Sequence, residues 1–246
     1  MTTTTEIPHT QRAAVYTAPG KIEIRDDWLV VQPSELKYGQ CLIRMEVSSA
    51  GWTHIVVPIP EGLPSEIAAP TLCAGLTVYR GLKESNTKAG DWIAIPGAGG
   101  GLGHMAVQYA FAMGLRVVAI DSGEDKKKIS LKNGAEKWID FTKAVDVVAD
   151  VSVYDDALRY VRASGTLVVL AIPAGSLKVN IDHLVSKNLK IHASIVGCLQ
   201  DTIEALDFVV RGKVIPHIHK HKLEDLGGIF NSMRDGKLVG RAIIYL

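Results

Sequence analysis

The sequence predicts an α/β protein, a doubly wound parallel sheet with a smaller β-rich lobe beside it. Three observations carry this. Ile93 to Asp121 runs strand, glycine turn, helix, strand. After Asp121, apolar β-branched runs alternate with helical ones. Before residue 69 the chain reads mainly as short strands and proline-rich extended segments.

Taken in order, Ala13 to Tyr16 and Lys21 to Ile24 flank Ala18-Pro19-Gly20, the pattern of a β-hairpin. Cys41 to Val47 partly alternates and reads as a strand, and residues 48–54 as a loop. Pro58, Pro60 and Pro64 fix φ and push their predecessors into extended conformations, so Ile55 to Pro64 is not helical. Ser65 to Ala69 and Leu72 to Glu84 read as helices. Ile93 to Ile95 is a short buried-type strand, Pro96 to Gly103 a turn, His104 to Met113 a helix, and Val117 to Ile120 a second strand ending on Asp121.

That central stretch has a chemical meaning. A phosphate can approach a helix N-terminus only where no Cβ blocks the backbone N–H groups, and glycine also permits the tight turn. Gly97, Gly100 and Gly103 are spaced three apart, with Leu102 in the same turn. Asp121 follows Gly103 by about 18 residues, near the ~20-residue offset of a ribose-binding acid. Strand, turn, helix and acid in this order point to a dinucleotide site.

Further on, Asp125 to Asn133 is a charged helix stopped at Asn133-Gly134, and Lys137 to Asp140 a strand. Val145 to Val151 is another strand. The link between these strands is too short for a crossover helix, so they are not ordinary βαβ neighbours. Asp155 to Arg162 reads as a helix, Thr166 to Ala171 and Lys190 to Val196 as strands, Thr202 to Arg211 as an amphipathic helix. A helix near Leu223 to Met233 and a strand near Leu238 to Tyr245 close the chain.

The chain has 246 residues, 47% of them hydrophobic, enough for a substantial core. A net charge of +1 argues against a nucleic-acid partner. Cys41, Cys73 and Cys198 show no paired spacing, which fits a reducing compartment. No apolar run is long enough for a membrane span and the threonine-rich start has no signal-peptide character, so a cytoplasmic protein is expected.

Several motifs resemble the zinc-type medium-chain alcohol dehydrogenases of the fungal kind. They are Leu72 to Tyr79, Gly97 to Gly103, Ala106 to Ala110, Ala119-Ile120-Asp121, Ile139 to Thr142, Tyr160 to Gly165, Ile172 to Gly175 and Val239-Gly240-Arg241. The resemblance implies a Rossmann domain, a GroES-like β lobe and a nicotinamide-dependent oxidoreductase, in a fungal biosynthetic setting. Gly97, Gly100 and Gly103 would cradle the pyrophosphate with Leu102. Asp121 would take the ribose with Lys126 assisting, Arg241 would face the pyrophosphate, and Thr77 would touch the nicotinamide. An acid at 121 favours NAD over NADP, since the extra phosphate would meet like charge. The implied divisions are a tail over residues 1–10, a remnant β lobe over 11–68, a dinucleotide domain over 69–216 and a returning segment over 217–246.

The departures concern the metal. Gly51 stands where that family has its first zinc-ligating cysteine, the segment with the second ligand is absent, and only Cys73 matches a third ligand position. A catalytic zinc needs three protein ligands, so no zinc is expected. Thr53 matches the family's proton-relay hydroxyl and His54 lies beside it, making both candidates for moving a proton. Cys73 is otherwise a small buried thiol. His217, His219 and His221 alternate along one face, as a metal trio or a solvated edge strand. The expected activity is zinc-independent hydride transfer on a small carbonyl, alcohol or activated alkene. A non-redox isomerase, cyclase or lyase, or an inactive binding protein on the same scaffold, is the rival. A truncated lobe leaves sheet edges uncovered, so a homo-oligomer is expected.

Overall fold

The computed structural model describes residues 7–18, 21–37, 47–48, 57–143, 153–170 and 177–245. The N-terminal hairpin pairs β1 (Thr10–Ala18) antiparallel with β2 (Lys21–Leu29), longer on both sides than the sequence suggests. Of the strand expected over 41–47, only Val47 is among the described residues, in β3 (Val47–Ser48), which also takes in Ser48 from the expected loop.

Next comes one continuous helical run: α1 (Ser65–Pro70), a π-type turn (Thr71–Gly75) and α2 (Leu76–Glu84). Pro70 has no N–H, yet the path continues. The turn widens, and the Leu76 N–H reaches back to the Thr71 carbonyl. The lobe boundary expected at residue 69 therefore falls inside α1.

The site-bearing unit follows as β4 (Trp92–Pro96), α3 (Gly103–Ala112), β5 (Arg116–Asp121), α4 (Glu124–Lys132) and β6 (Ala135–Asp140). β4, β5 and β6 form a parallel sheet in that order, with Ile95 opposite Ala119 and Ala119 opposite Trp138. Residues 103–110 of α3 are all buried, so this helix is core on every side. Along β5, Val117, Ala119 and Asp121 are the buried residues. The period of two that puts two apolar residues into the core thus carries Asp121 to the end of the same row.

The later elements are α5 (Val153–Tyr160), β7 (Thr166–Val169), α6 (Ile181–Ser186), β8 (Lys190–Ala193) and α7 (Leu199–Val210). β7 and β8 pair in parallel, so among the described residues the parallel sheet comes in two pieces. The strand expected over 145–151 lies outside those residues. Tyr79, Tyr109 and Phe208 meet at tilted to edge-on angles, 5.6–5.8 Å between ring centroids, joining α2, α3 and α7. Asp201, in the first turn of α7, accepts from Arg80 at 2.7 Å and from Lys83 at 2.8 Å on α2. These pairs hold its carboxyl well below the usual range, against the opposing effect of burial.

The chain closes with β9 (Ile218–Lys222), α8 (Leu226–Arg234) and β10 (Arg241–Tyr245). β10 lies between β3 and β9, antiparallel to the first and parallel to the second. Among the described residues no helix is long and apolar enough to cross a membrane.

Candidate dinucleotide site

The turn between β4 and α3 is built by glycine. Gly97 has φ +69°, in the left-handed region that penalises a side chain, and its N–H donates to the Ile120 carbonyl at 2.8 Å. The Gly100 N–H closes back on the Gly97 carbonyl at 2.9 Å. At Gly103 the need is proximity, for a Cβ there would lie 2.0 Å from the Gly97 oxygen. Helix and strand can approach this closely only without it. Among the described residues, the N–H groups of Gly101, Leu102 and Gly103 bond no backbone carbonyl. Three such donors at the N-terminus of a ten-residue helix suit an anion, and a pyrophosphate fits the cradle.

Asp121 reaches the turn from β5. It is 4% exposed. One carboxylate oxygen accepts from the Gly99 N–H at 3.0 Å. The other accepts from the Ser122 N–H at 2.8 Å and from the Lys126 ammonium at 2.9 Å. The acid and the lysine singled out from the sequence are thus neighbours, and Lys126 packs directly over Gly99.

Arg241 arrives from the other end of the chain. The Gly240 N–H donates to the Gly99 carbonyl at 3.0 Å, and the Arg241 N–H donates to the His217 carbonyl at 2.9 Å. The Arg241 Cδ lies 3.0 Å from where a Cβ on Gly101 would be, so this side chain lies against the turn.

Two residues at this junction escape the sequence reading. His104 is fully buried. Its Nδ1 is 2.8 Å from the Gly100 carbonyl, and its Nε2 is 3.1 Å from the His217 N–H. A carbonyl accepts and an amide donates, so the proton is on Nδ1 and the ring is neutral. Burial pushes His104 down to about 4, and the nearby charges of His217 and Arg241 act in the same direction. One helical turn later, the Gln108 amide donates to the Ile215 carbonyl at 3.1 Å and accepts from its N–H at 2.7 Å. The available signal was a His and a Gln four apart on an otherwise apolar helix, where buried polar groups must find partners.

Thr77 is on α2 and its hydroxyl donates to the Cys73 carbonyl at 2.7 Å, taking no part in the turn's hydrogen-bond network. Cys73 is a half-buried free thiol in the π-type turn. Thr53, His54 and Gly51 lie outside the described residues. The rings of His217 and His219 meet edge-on at 4.9 Å, and His219 Nε2 lies 3.0 Å from the Val239 carbonyl. Among the described residues no group of three His, Cys, Asp or Glu could hold a metal, so they do not supply a catalytic-zinc ligand set.

The family model for zinc-binding dehydrogenases matches residues 101–211. The alcohol dehydrogenase of Schizosaccharomyces pombe is 43% identical over 216 residues, covering 80% of this chain and 61% of that protein. The chain spans about three fifths of the length of the curated relatives it matches. The crystal structure of the alcohol dehydrogenase from Aeropyrum pernix is similar at a TM-score of 0.68 and 26% identity, over 77% of this chain and 61% of that one. Acetophenone reductase from Geotrichum candidum, solved in complex with NAD, shares the fold at a TM-score of 0.79 and 20% identity, over 98% of this chain and 99% of that one.

Proposed function

The chain belongs to the medium-chain alcohol dehydrogenase family, and from that premise we propose an NAD-dependent oxidoreductase that works without the family's catalytic zinc. Its substrate class would be a small carbonyl, alcohol or activated alkene. The observation that carries the reading is the Gly97–Gly103 turn, with Asp121 on one side and Arg241 on the other. Bound NAD would supply or accept the hydride. The chain's own residues would do the rest. The N–H groups of Gly101, Leu102 and Gly103, which bond no backbone carbonyl among the described residues, would take the pyrophosphate, with Arg241 as its cation. Asp121 would accept the ribose hydroxyls, with Lys126 beside it, and its charge would oppose the additional phosphate of NADP. Thr77 is assigned to the nicotinamide and Thr53 with His54 to the proton, from their places in the sequence. Zinc independence is supported by Gly51, which has no ligating side chain, and by Cys73 being the one matched ligand.

The test is a fluorescence titration with NADH and with NADPH, on the wild type and Asp121→Ala. The expected outcome is saturable NADH binding, tighter than NADPH. Asp121→Ala should weaken it by about tenfold or more, the worth of a charged hydrogen bond. Binding of neither cofactor would reject the redox reading and favour an isomerase, lyase or binding protein.

A further inference from the structure

Resting on that reading, we propose that His104 is a positioning residue for the cofactor: it ties the glycine turn to the segment carrying Arg241, and Arg241 contributes to binding only through that tie. The bonds form a closed circuit. His104 Nδ1 donates to Gly100, and Nε2 accepts from the His217 N–H. The His217 carbonyl accepts from Arg241, and the adjoining Gly240 donates back to Gly99. Gly99 and Gly100 belong to the turn, so every member fixes the position of the next. Gln108 clamps Ile215 in both directions, which holds the approach to His217.

The chemistry of the helix argues against mere filling. Residues 103–110 are all buried, and a hydrocarbon at 104 would suit that environment. A histidine that uses both ring nitrogens on two distant backbone segments does what a hydrocarbon cannot. It sets the distance between a phosphate cradle and the cation beside it. Electrostatic preorganisation of this kind matters at the ångström level.

The experiment is a double-mutant cycle on the full chain, with NADH as the probe: wild type, His104→Ala, Arg241→Ala and the double variant. His104→Gln and His104→Asn complete the set. The Gln oxygen can take the place of Nε2, whereas the shorter Asn amide reproduces only the Nδ1 side. Amide hydrogen exchange is followed without cofactor at His217 and Gly240.

His104→Ala should speed exchange at both amides and weaken NADH about tenfold, the worth of the charged contact from Arg241 that it positions. Arg241→Ala should then add nothing further. His104→Gln should restore both affinity and the Arg241 effect, and His104→Asn should not. Equal Arg241 effects in both backgrounds, or Gln and Asn behaving alike, would overturn the proposal. If His104→Ala fails to fold, the Gln–Asn comparison decides. If the wild type binds no NADH while exchange responds as expected, the tie stands and the oxidoreductase reading falls.

Discussion

The glycine turn with α3 and the N-terminal hairpin are both short, local units, yet they are held in opposite ways. Every residue from 103 to 110 is buried, and the turn is fixed by steric contact and a ring of backbone bonds. In β2 no residue is buried, and Leu29 is 77% exposed. The hairpin attaches through Ala14 and Ile24, which pack on the small cluster of Leu223, Ile229 and Ile244. Its ion pairs, Arg12 with Asp26 and with Glu224 and Arg25 with Asp27, are solvent-exposed and contribute little. Geometry needed for binding is therefore concentrated where the chain has least freedom, and the hairpin belongs to the part that opens at low cost.

The comparison breaks most visibly at Gly103. Gly103→Val places a Cβ 2.0 Å from the Gly97 oxygen, so about 4 kcal/mol or more should be lost in urea denaturation. A loss below about 1 kcal/mol would mean that the turn can open and that the two regions do not differ.

Acid sharpens it. His104 is neutral in the fold at a value near 4, against an ordinary 6.5. Below pH 6.5 the unfolded chain takes up a proton that the folded chain declines. Stability should fall from pH 6.5 to about 4 and then level, by on the order of 3 kcal/mol from this residue. Denaturation of wild type and His104→Gln across that range isolates the difference, and identical slopes would contradict it.

The smallest effect belongs to the hairpin. Leu29→Ser should change stability by less than about 0.5 kcal/mol, since the side chain is exposed already. A thermal melt displaced by several degrees would reveal a contact that Leu29 makes elsewhere.

Much of the glycine region was legible because its physics is local. The glycine turn and the acid closing the strand are written in neighbouring residues, whereas the apolar run Val117 to Ile120 shows no alternation and the row that buries Asp121 appears only in the fold. The acid–lysine pair came from the family resemblance, which alone singled out Lys126. The tie through His104 was not legible, because its partners Gly100 and His217 are joined only after the chain has come back on itself. Pro70 misled in another way. It reads as a break between two helices, but packing carries the helix through and absorbs the missing donor as a π-type turn. The short α6 has no period long enough to announce it; Asn180, whose side chain caps it through the His183 N–H at 3.1 Å, was its one local sign.

The sheet formed by β3, β10 and β9 has a consequence for biosynthesis. Ile244 and Tyr245 pair with Ser48 and Val47, almost the whole length of the chain away. As the polypeptide leaves the ribosome, β4, α3 and β5 can assemble among themselves, but β3 waits for β10, its one partner among the described residues, until translation has passed Tyr245. Throughout that delay the nascent chain exposes strand to chaperones and to other chains. The residues of β10 are therefore the ones that end the period of risk.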